Sequence, residues 1–319
     1  MRASQLTFSI TPDSLSQLAE ASVAVCAYDA GAASHMAAWL AQHQNQLRPC
    51  LDGPAHSLFT ARLGPLPHHS LESSLQGACL LISGSGWSSD LEHKARALAR
   101  QRGIPSVAVL DHWVNYRARF ERGGEEVLPD QLWVADVDAL ALAKATFPGL
   151  PVMQLPNQWL AEITLAAASE RKYPPQQPAR RLLYLLEPIR VPWCDGVSQQ
   201  EPSEFQALRY WFDKLPMLIH QGWIAPLEQL EALVLRPHPS EPPGKYDLFM
   251  QKTERYWPIT IDASSSLAGA LAWADIAFGC DTQALVAGIN CDIICFSTLP
   301  PWAPKCSLPQ EQLLHIRDL

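Results

Sequence analysis

A chain of 319 residues, 48% of them hydrophobic, is longer than one core comfortably serves and is sized for two domains of roughly 150 residues each. With 24 basic against 32 acidic residues the net charge is −8, which excludes a global field drawing the protein to nucleic acid; an anionic ligand would need a local site. No stretch approaches the roughly 20 apolar residues of a membrane span, and the N-terminal stretch has no continuous apolar core, so an unprocessed cytoplasmic protein is expected. The 8 cysteines (Cys26, Cys50, Cys79, Cys194, Cys280, Cys291, Cys295 and Cys306) are scattered, several within apolar runs, and form no Cys-x-x-Cys pair suited to zinc; they read as buried thiols.

In chain order, the apolar run Val23-Ala-Val-Cys-Ala-Tyr28 predicts a strand ending at Asp29-Ala-Gly31, followed by an Ala- and Leu-rich helix over 35–44 with Ser34 as its N-cap. A strand over 78–82 leads into the turn Ser83-Gly-Ser-Gly86 and a helix over 91–102, which Gly103 ends. Strand 106–110 runs into Asp111-His-Trp113, and strand 131–135 precedes a helix over 137–147 stopped by Pro148-Gly149. Periodicity lapses over 166–180, where Pro, Gln and charge take over; this reads as a linker between a first domain over 1–165 and a second over 181–319. The second domain restarts with strand 181–186, helix 203–218, strands 232–235 and 259–261, helix 267–273, strand 275–278, helix 282–287 and strand 292–296. Strand–helix alternation in both halves predicts an α/β protein of two parallel, doubly wound sheets.

Ligands of such sheets lie beyond the carboxyl ends of the strands, which restricts the candidates to residues just after each strand. Arg236-Pro-His-Pro-Ser-Glu241 follows strand 232–235, and its two prolines stiffen the backbone around Arg236 and His238; both side chains are of types that donate to phosphate, and a stiff surface loop is the alternative. Ser264, Ser265 and Ser266 precede one helix, and Asp281 and Thr282 another, each placing hydroxyls beside free helix N-terminal N–H groups; plain capping would explain either alone. Asp29, Asp111 and Glu187 are strand-terminal acids suited to a general base. Gly31, His35, Gly84 and His112 are candidates for the acceptor side, the glycines because they permit close approach.

Leu235-Arg-Pro-His-Pro-Ser-Glu241 resembles the His-Pro motif of bacterial sialyltransferases, polysialyltransferases and related capsule transferases. The segment Ala274-Asp-Ile-Ala-Phe-Gly-Cys-Asp-Thr-Gln-Ala-Leu-Val-Ala-Gly288 resembles the penultimate unit of many glycosyltransferases of the GT-B type. The resemblance covers mainly residues 180–296. It implies two Rossmann-like domains facing a cleft, with His238 (and Pro239 beside it) and either Ser264 to Ser266 or Thr282 on the nucleotide phosphate. It further implies transfer of a sialic-acid-like nonulosonic acid from a CMP-activated donor to a surface glycan or glycoprotein.

Those families carry an acidic-acidic-Gly motif whose second acid is the base; here Asp29-Ala-Gly31 lacks one acid, so Asp111 and Glu187 stay open beside Asp29. Val109-Leu-Asp-His-Trp-Val-Asn-Tyr116 with Leu128-Pro-Asp-Gln-Leu-Trp-Val134 is similar to acceptor-side domains of surface-carbohydrate proteins. Asp29-Ala-Gly31 ahead of His35 also resembles the opening of the UDP-sugar hydrolases of nonulosonic acid synthesis, which with 2-epimerases forms the enzymatic alternative. A non-catalytic nucleotide-sugar-binding protein is the other. No Asp-x-Asp lies near the phosphate candidates in sequence, Asp136-Val-Asp138 being in the first half, so no metal and no further cofactor are expected.

Overall fold

The computed structural model describes residues 10–18, 22–86, 88–189, 193, 202–238, 241–253, 257–264 and 266–319. The chain divides between Trp159 and Leu160 into two compact units, each built on its own parallel sheet.

Unit 1 contains β1 (Ser22–Ala27), α1 (Ala30–Trp39), β2 (Leu47–Leu51), α2 (Gly53–Leu63), α3 (Leu71–Ser74), β3 (Ala78–Ser83), α4 (Leu91–Arg102) and β4 (Ser106–Leu110). A short antiparallel pair, β5 (Glu121–Arg122) with β6 (Glu125–Glu126), precedes β7 (Gln131–Val134), α5 (Val137–Thr146) and β8 (Val152–Gln154). The sheet order is β2-β1-β3-β4-β7-β8, all parallel, and it reverses direction between β1 and β3. Alternate residues of β1 serve opposite faces: Val23, Val25 and Ala27 pack with Met36 of α1 and Phe59 of α2, while Ala24 and Cys26 pack with Ala95 and Ala99 of α4. Burial on both faces explains why the strand reads as one apolar run.

Unit 2 holds most of α6 (Gln158–Glu170), then β9 (Arg181–Leu185), α7 (Ser203–His220), β10 (Ala232–Arg236), α8 (Asp247–Thr253), β11 (Ile259–Ile261) and α9 (Leu267–Trp273). It ends with β12 (Ile276–Gly279), α10 (Gln283–Asn290), β13 (Ile294–Ser297) and β14 (Leu314–His315). Its order, β11-β10-β9-β12-β13-β14, is that of a Rossmann sheet, reversing between β9 and β12. Leu208, Trp211, Leu215 and Leu218 of α7 pack on Tyr184, Leu235, Phe278 and Phe296 of the strands. At the amino edge of this sheet Asp275 accepts from the main-chain N–H groups of Gln176, Arg180 and Arg181 (3.0, 2.9 and 2.9 Å) and from the Arg181 guanidinium at 2.5 Å, so one buried carboxylate shapes the entry to β9.

Several sequence expectations need correction. The first helix starts at Ala30 with Asp29 at the N-cap, so Ser34 lies inside it, and it stops at Trp39, with a 3₁₀ segment over Ala41–Gln46. Residues 166–170, expected in a linker, are helical because α6 continues through them; Ala167 is fully buried. β2 went unread because Pro49 interrupts it, which an edge strand tolerates. Among the described residues no helix is long and apolar enough to cross a membrane.

Candidate functional site

At the reversal point of unit 2 the carboxyl ends of β9 and β12 lie level, Leu185 pairing with Gly279, and the chain leaves them through Glu187 and Asp281. The Glu187 carboxyl accepts the Asp281 main-chain N–H at 2.9 Å. Burial raises the Glu187 pKa to about 7; the Asp281 N–H opposes this, and the charges of Asp281 and Glu241 reinforce it. Asp281 turns its own Oδ1 to the Ser307 N–H and hydroxyl, both at 3.0 Å, and so holds the loop after β13. Thr282 and Ser266 act as N-caps, accepting from Ala284 N–H (3.3 Å) and Gly269 N–H (3.0 Å). Each of these hydroxyls thus caps its own helix.

The loop after β10 supplies an exposed His238 whose N–H donates to Glu241 Oε2 (3.2 Å) and whose carbonyl accepts the Glu241 N–H (2.9 Å). Partial desolvation lowers the imidazole pKa and the Glu241 carboxylate opposes that. Glu241, with a side chain 2% exposed, also accepts from Lys245 Nζ and the Tyr246 hydroxyl, each at 2.7 Å, and Lys245 bonds Glu204 besides. Arg236, expected to reach a phosphate, is instead ion-paired with Asp262 and donates to Ser264 Oγ at 2.9 Å. Asp262 also accepts the Ser264 N–H, a local turn that binds Ser264 into the same knot. Pro239 and Ser265 lie outside the described residues.

In unit 1 the reversal point lies between the ends of β1 and β3, and three glycines bring the backbone against carboxylates there. A Cβ on Gly86 would lie 1.9 Å from Asp29 Oδ2, one on Gly31 would lie 1.9 Å from Asp111 Oδ2, and one on Gly84 would lie 2.6 Å from Glu92 Oε1. Asp29 stands at the N-cap of α1, yet its side chain makes no capping hydrogen bond. Asp111 pairs with Arg119 at 2.9 Å, both largely buried. Beside it, His112 Nδ1 accepts the Trp113 N–H at 3.0 Å, and the Trp113 indole donates to Asp136 at 3.0 Å. His35 is 7% exposed and stacks on Trp39 with centroids 5.2 Å apart; burial lowers its pKa, against the pull of Asp111 and Asp136.

The sequence reading overlooked Glu92 of α4, which is completely buried and accepts the Tyr28 N–H at 3.0 Å. Burial raises its pKa to about 7, as do the charges of Asp29 and Asp111, while the Tyr28 N–H and Arg96 pull it down. Arg96, 1% exposed, donates to Gly84 O at 2.8 Å and Ser83 Oγ at 3.2 Å. A glutamate in the first turn of a helix that follows a Gly-rich turn was the available signal.

Each reversal point thus sets a buried carboxyl, its pKa raised to about 7, beside a second acid at a strand end. No protein-family model and no curated protein sequence matches the chain. Among solved structures it is similar to the UDP-GlcNAc 2-epimerase from Methanocaldococcus jannaschii, at 10% identity and TM-score 0.52 over 86% of this chain and 83% of that one. It is similar also to a Listeria monocytogenes protein described as a UDP-N-acetylglucosamine 2-epimerase, at 9% identity and TM-score 0.53 over 87% and 79% of the two chains. A family 9 glycosyl transferase from Veillonella parvula aligns over 97% and 88% at 10% identity with TM-score 0.39. The fold is therefore the α/β, two-unit GT-B-like type, with two six-stranded parallel sheets.

Proposed function

We propose that this protein is a nucleotide-sugar-dependent enzyme that transfers a sugar to a carbohydrate acceptor, with Asp29 as general base. The observation that carries this reading is the state of the three candidate acids. Asp111 is committed to Arg119 and Glu187 to the Asp281 N–H, whereas Asp29 makes no capping bond and stands against Gly86 at the reversal point of unit 1. Half-buried and without structural duty in its helix, it is the carboxylate best placed to take a proton from an incoming hydroxyl.

The nucleotide belongs at the carboxyl edge of unit 2, beside His238 and the N-terminus of α10, in the crevice position that open α/β sheets offer. Because Arg236 and Lys245 are each neutralised by carboxylates, His238 carries the phosphate contact. The His-Pro resemblance makes CMP-activated nonulosonic acids the donors to test first, ahead of UDP-, GDP- and CDP-sugars. A thermal-shift panel of the four nucleotides tests the binding half, since a ligand of the native state raises its melting temperature. Turnover of the stabilising nucleotide's sugars with and without carbohydrate acceptors tests the transfer half.

A second reading, epimerisation or hydrolysis of a UDP-sugar, is favoured by the likeness in fold to the two 2-epimerase structures. It requires UDP in the shift panel and turnover that is indifferent to acceptor, an outcome that would replace transfer as the assignment.

A further inference from the structure

Outside the three acids already discussed, the most unusual titratable group among the described residues is Glu92. It is completely buried, its Oε1 accepts the Tyr28 N–H at 3.0 Å, and its Oε2 has no hydrogen-bond partner among the described residues. Tyr28 immediately precedes Asp29 as the chain leaves β1. Glu92 Oε1 also lies against Gly84, while Asp29 Oδ2 lies against Gly86, so both carboxyls bear on the same turn after β3. That turn is held from elsewhere as well: Arg96 donates to Gly84 O (2.8 Å), and the Ser85 hydroxyl donates to Val109 O (2.7 Å). Gly84 N–H already joins this turn to β1 through Cys26 O (3.0 Å), and Glu92 adds a side-chain tie one step further on, at Tyr28.

We propose that Glu92 is a positioning residue: its carboxyl pins the Tyr28 peptide and thereby fixes Asp29 against Gly86 at the reversal point of unit 1. The same device occurs in unit 2, where Glu187 pins the Asp281 peptide at 2.9 Å. A buried carboxyl can serve in this way only if its proton is managed. The groups acting on Glu92 are Asp29 from the β1–α1 junction and Asp111 from the end of β4, which disfavour its charge, Arg96 on its own helix, which favours it, and the Cys26 thiol on β1. While it keeps its proton, below about pH 7, Glu92 leaves Asp29 without a second negative charge beside it. Glutamine is then its isosteric stand-in, because the amide oxygen accepts the same N–H without carrying charge.

This inference rests on the reading of Asp29 as base only for its kinetic consequence, so the test has two arms. In the first, carboxyl ¹³C resonances of aspartate- and glutamate-labelled protein are followed against pH in the wild type, Glu92→Gln, Glu92→Ala and Asp29→Asn. The Glu92 carbon is expected to titrate near 7 and at lower pH in Asp29→Asn, and the Asp29 carbon to shift in Glu92→Ala and not in Glu92→Gln outside the Glu92 titration. In the second, Glu92→Gln keeps kcat within about threefold but loses an inflection near pH 7, while Glu92→Ala lowers kcat about tenfold or more at unchanged nucleotide-sugar KM. An Asp29 resonance indifferent to Glu92→Ala in folded protein overturns the proposal, as does wild-type kcat with a wild-type pH profile in both variants. If the wild type turns over no nucleotide sugar, the transferase reading fails and the ¹³C arm alone decides the role of Glu92.

Discussion

Glu187 and Asp281 meet across the reversal point of unit 2 through a hydrogen bond from the Asp281 main-chain N–H to the Glu187 carboxyl, 2.9 Å long. Glu187 titrates near 7 in the fold against an ordinary value of 4.5, so the native state binds its proton more tightly than the unfolded chain does. The stability this contributes is complete below about pH 4.5 and is lost as pH rises through 7, on the order of 3 kcal/mol across that window. Urea midpoints between pH 4.5 and 8 should fall with rising pH for this reason and for the like-shifted Glu92, and Glu187→Gln should make the decline shallower without abolishing it. An identical slope in the variant would show that the Glu187 proton does not respond to folding.

His238→Ala should leave the fold intact, since the side chain is exposed and the loop is organised by its main chain and Glu241. Loss of one charge-assisted phosphate contact, about 1.5–3 kcal/mol, corresponds to nucleotide affinity weaker by roughly ten- to a hundredfold. Calorimetric titration with the nucleotide that stabilises the wild type measures it, and unchanged affinity would remove His238 from the site.

Asp29→Asn should lower turnover by about 10²- to 10⁴-fold with little change in nucleotide affinity, the loss expected for a general base. Parallel measurements on Asp111→Asn and Glu187→Gln rank the three acids. Nearly full activity in Asp29→Asn with collapse in one of the others would move the role to that residue.

Gly86→Ala places a methyl 1.9 Å from Asp29 Oδ2, 2.5 Å from its Cγ and 3.1 Å from its Cβ, so rotating the carboxylate alone does not relieve the clash. Displacement of the base should cost roughly 10²-fold in kcat. Gly103→Ala is the contrasting control: Gly103 has φ 67° with open space around it, so that change should cost about 1 kcal/mol of stability and leave turnover alone. Equal kcat in the two variants would separate Gly86 from the chemistry.

Asp275→Ala removes a carboxylate, 0% exposed, that satisfies three main-chain N–H groups and Arg181. Leaving the 7% exposed guanidinium buried and alone should destabilise the protein by about 3–5 kcal/mol. Chemical denaturation measures this, and a loss below about 1 kcal/mol would mean that water reaches Arg181 once the carboxylate is gone.

The elements legible in the sequence were those whose signals are local. Runs such as Leu182-Leu-Tyr-Leu185 read as strands because both faces of a parallel sheet are covered, and Gly103 marked the end of α4 because glycine adopts the left-handed conformation there without strain. The same local logic correctly placed Asp29, Asp111, Glu187 and Asp281 after strands. Signals that depend on neighbours are less legible: Pro49 masks an edge strand, and Ser34 has the residue type of a cap although the helix begins at Ala30.

What each candidate side chain is bonded to was decided only by tertiary structure, because those partners come from elements far apart in the chain. The type and position of Arg236 suit phosphate, but Asp262, 26 residues on, neutralises it; nothing local to Glu92 signals that Tyr28, 64 residues away, donates to it. Residue type and strand-end position are written in the sequence by backbone geometry and apolar pattern. Charge state and availability depend on burial and on partners brought together by the order of the strands, and that order is established only when the sheets assemble.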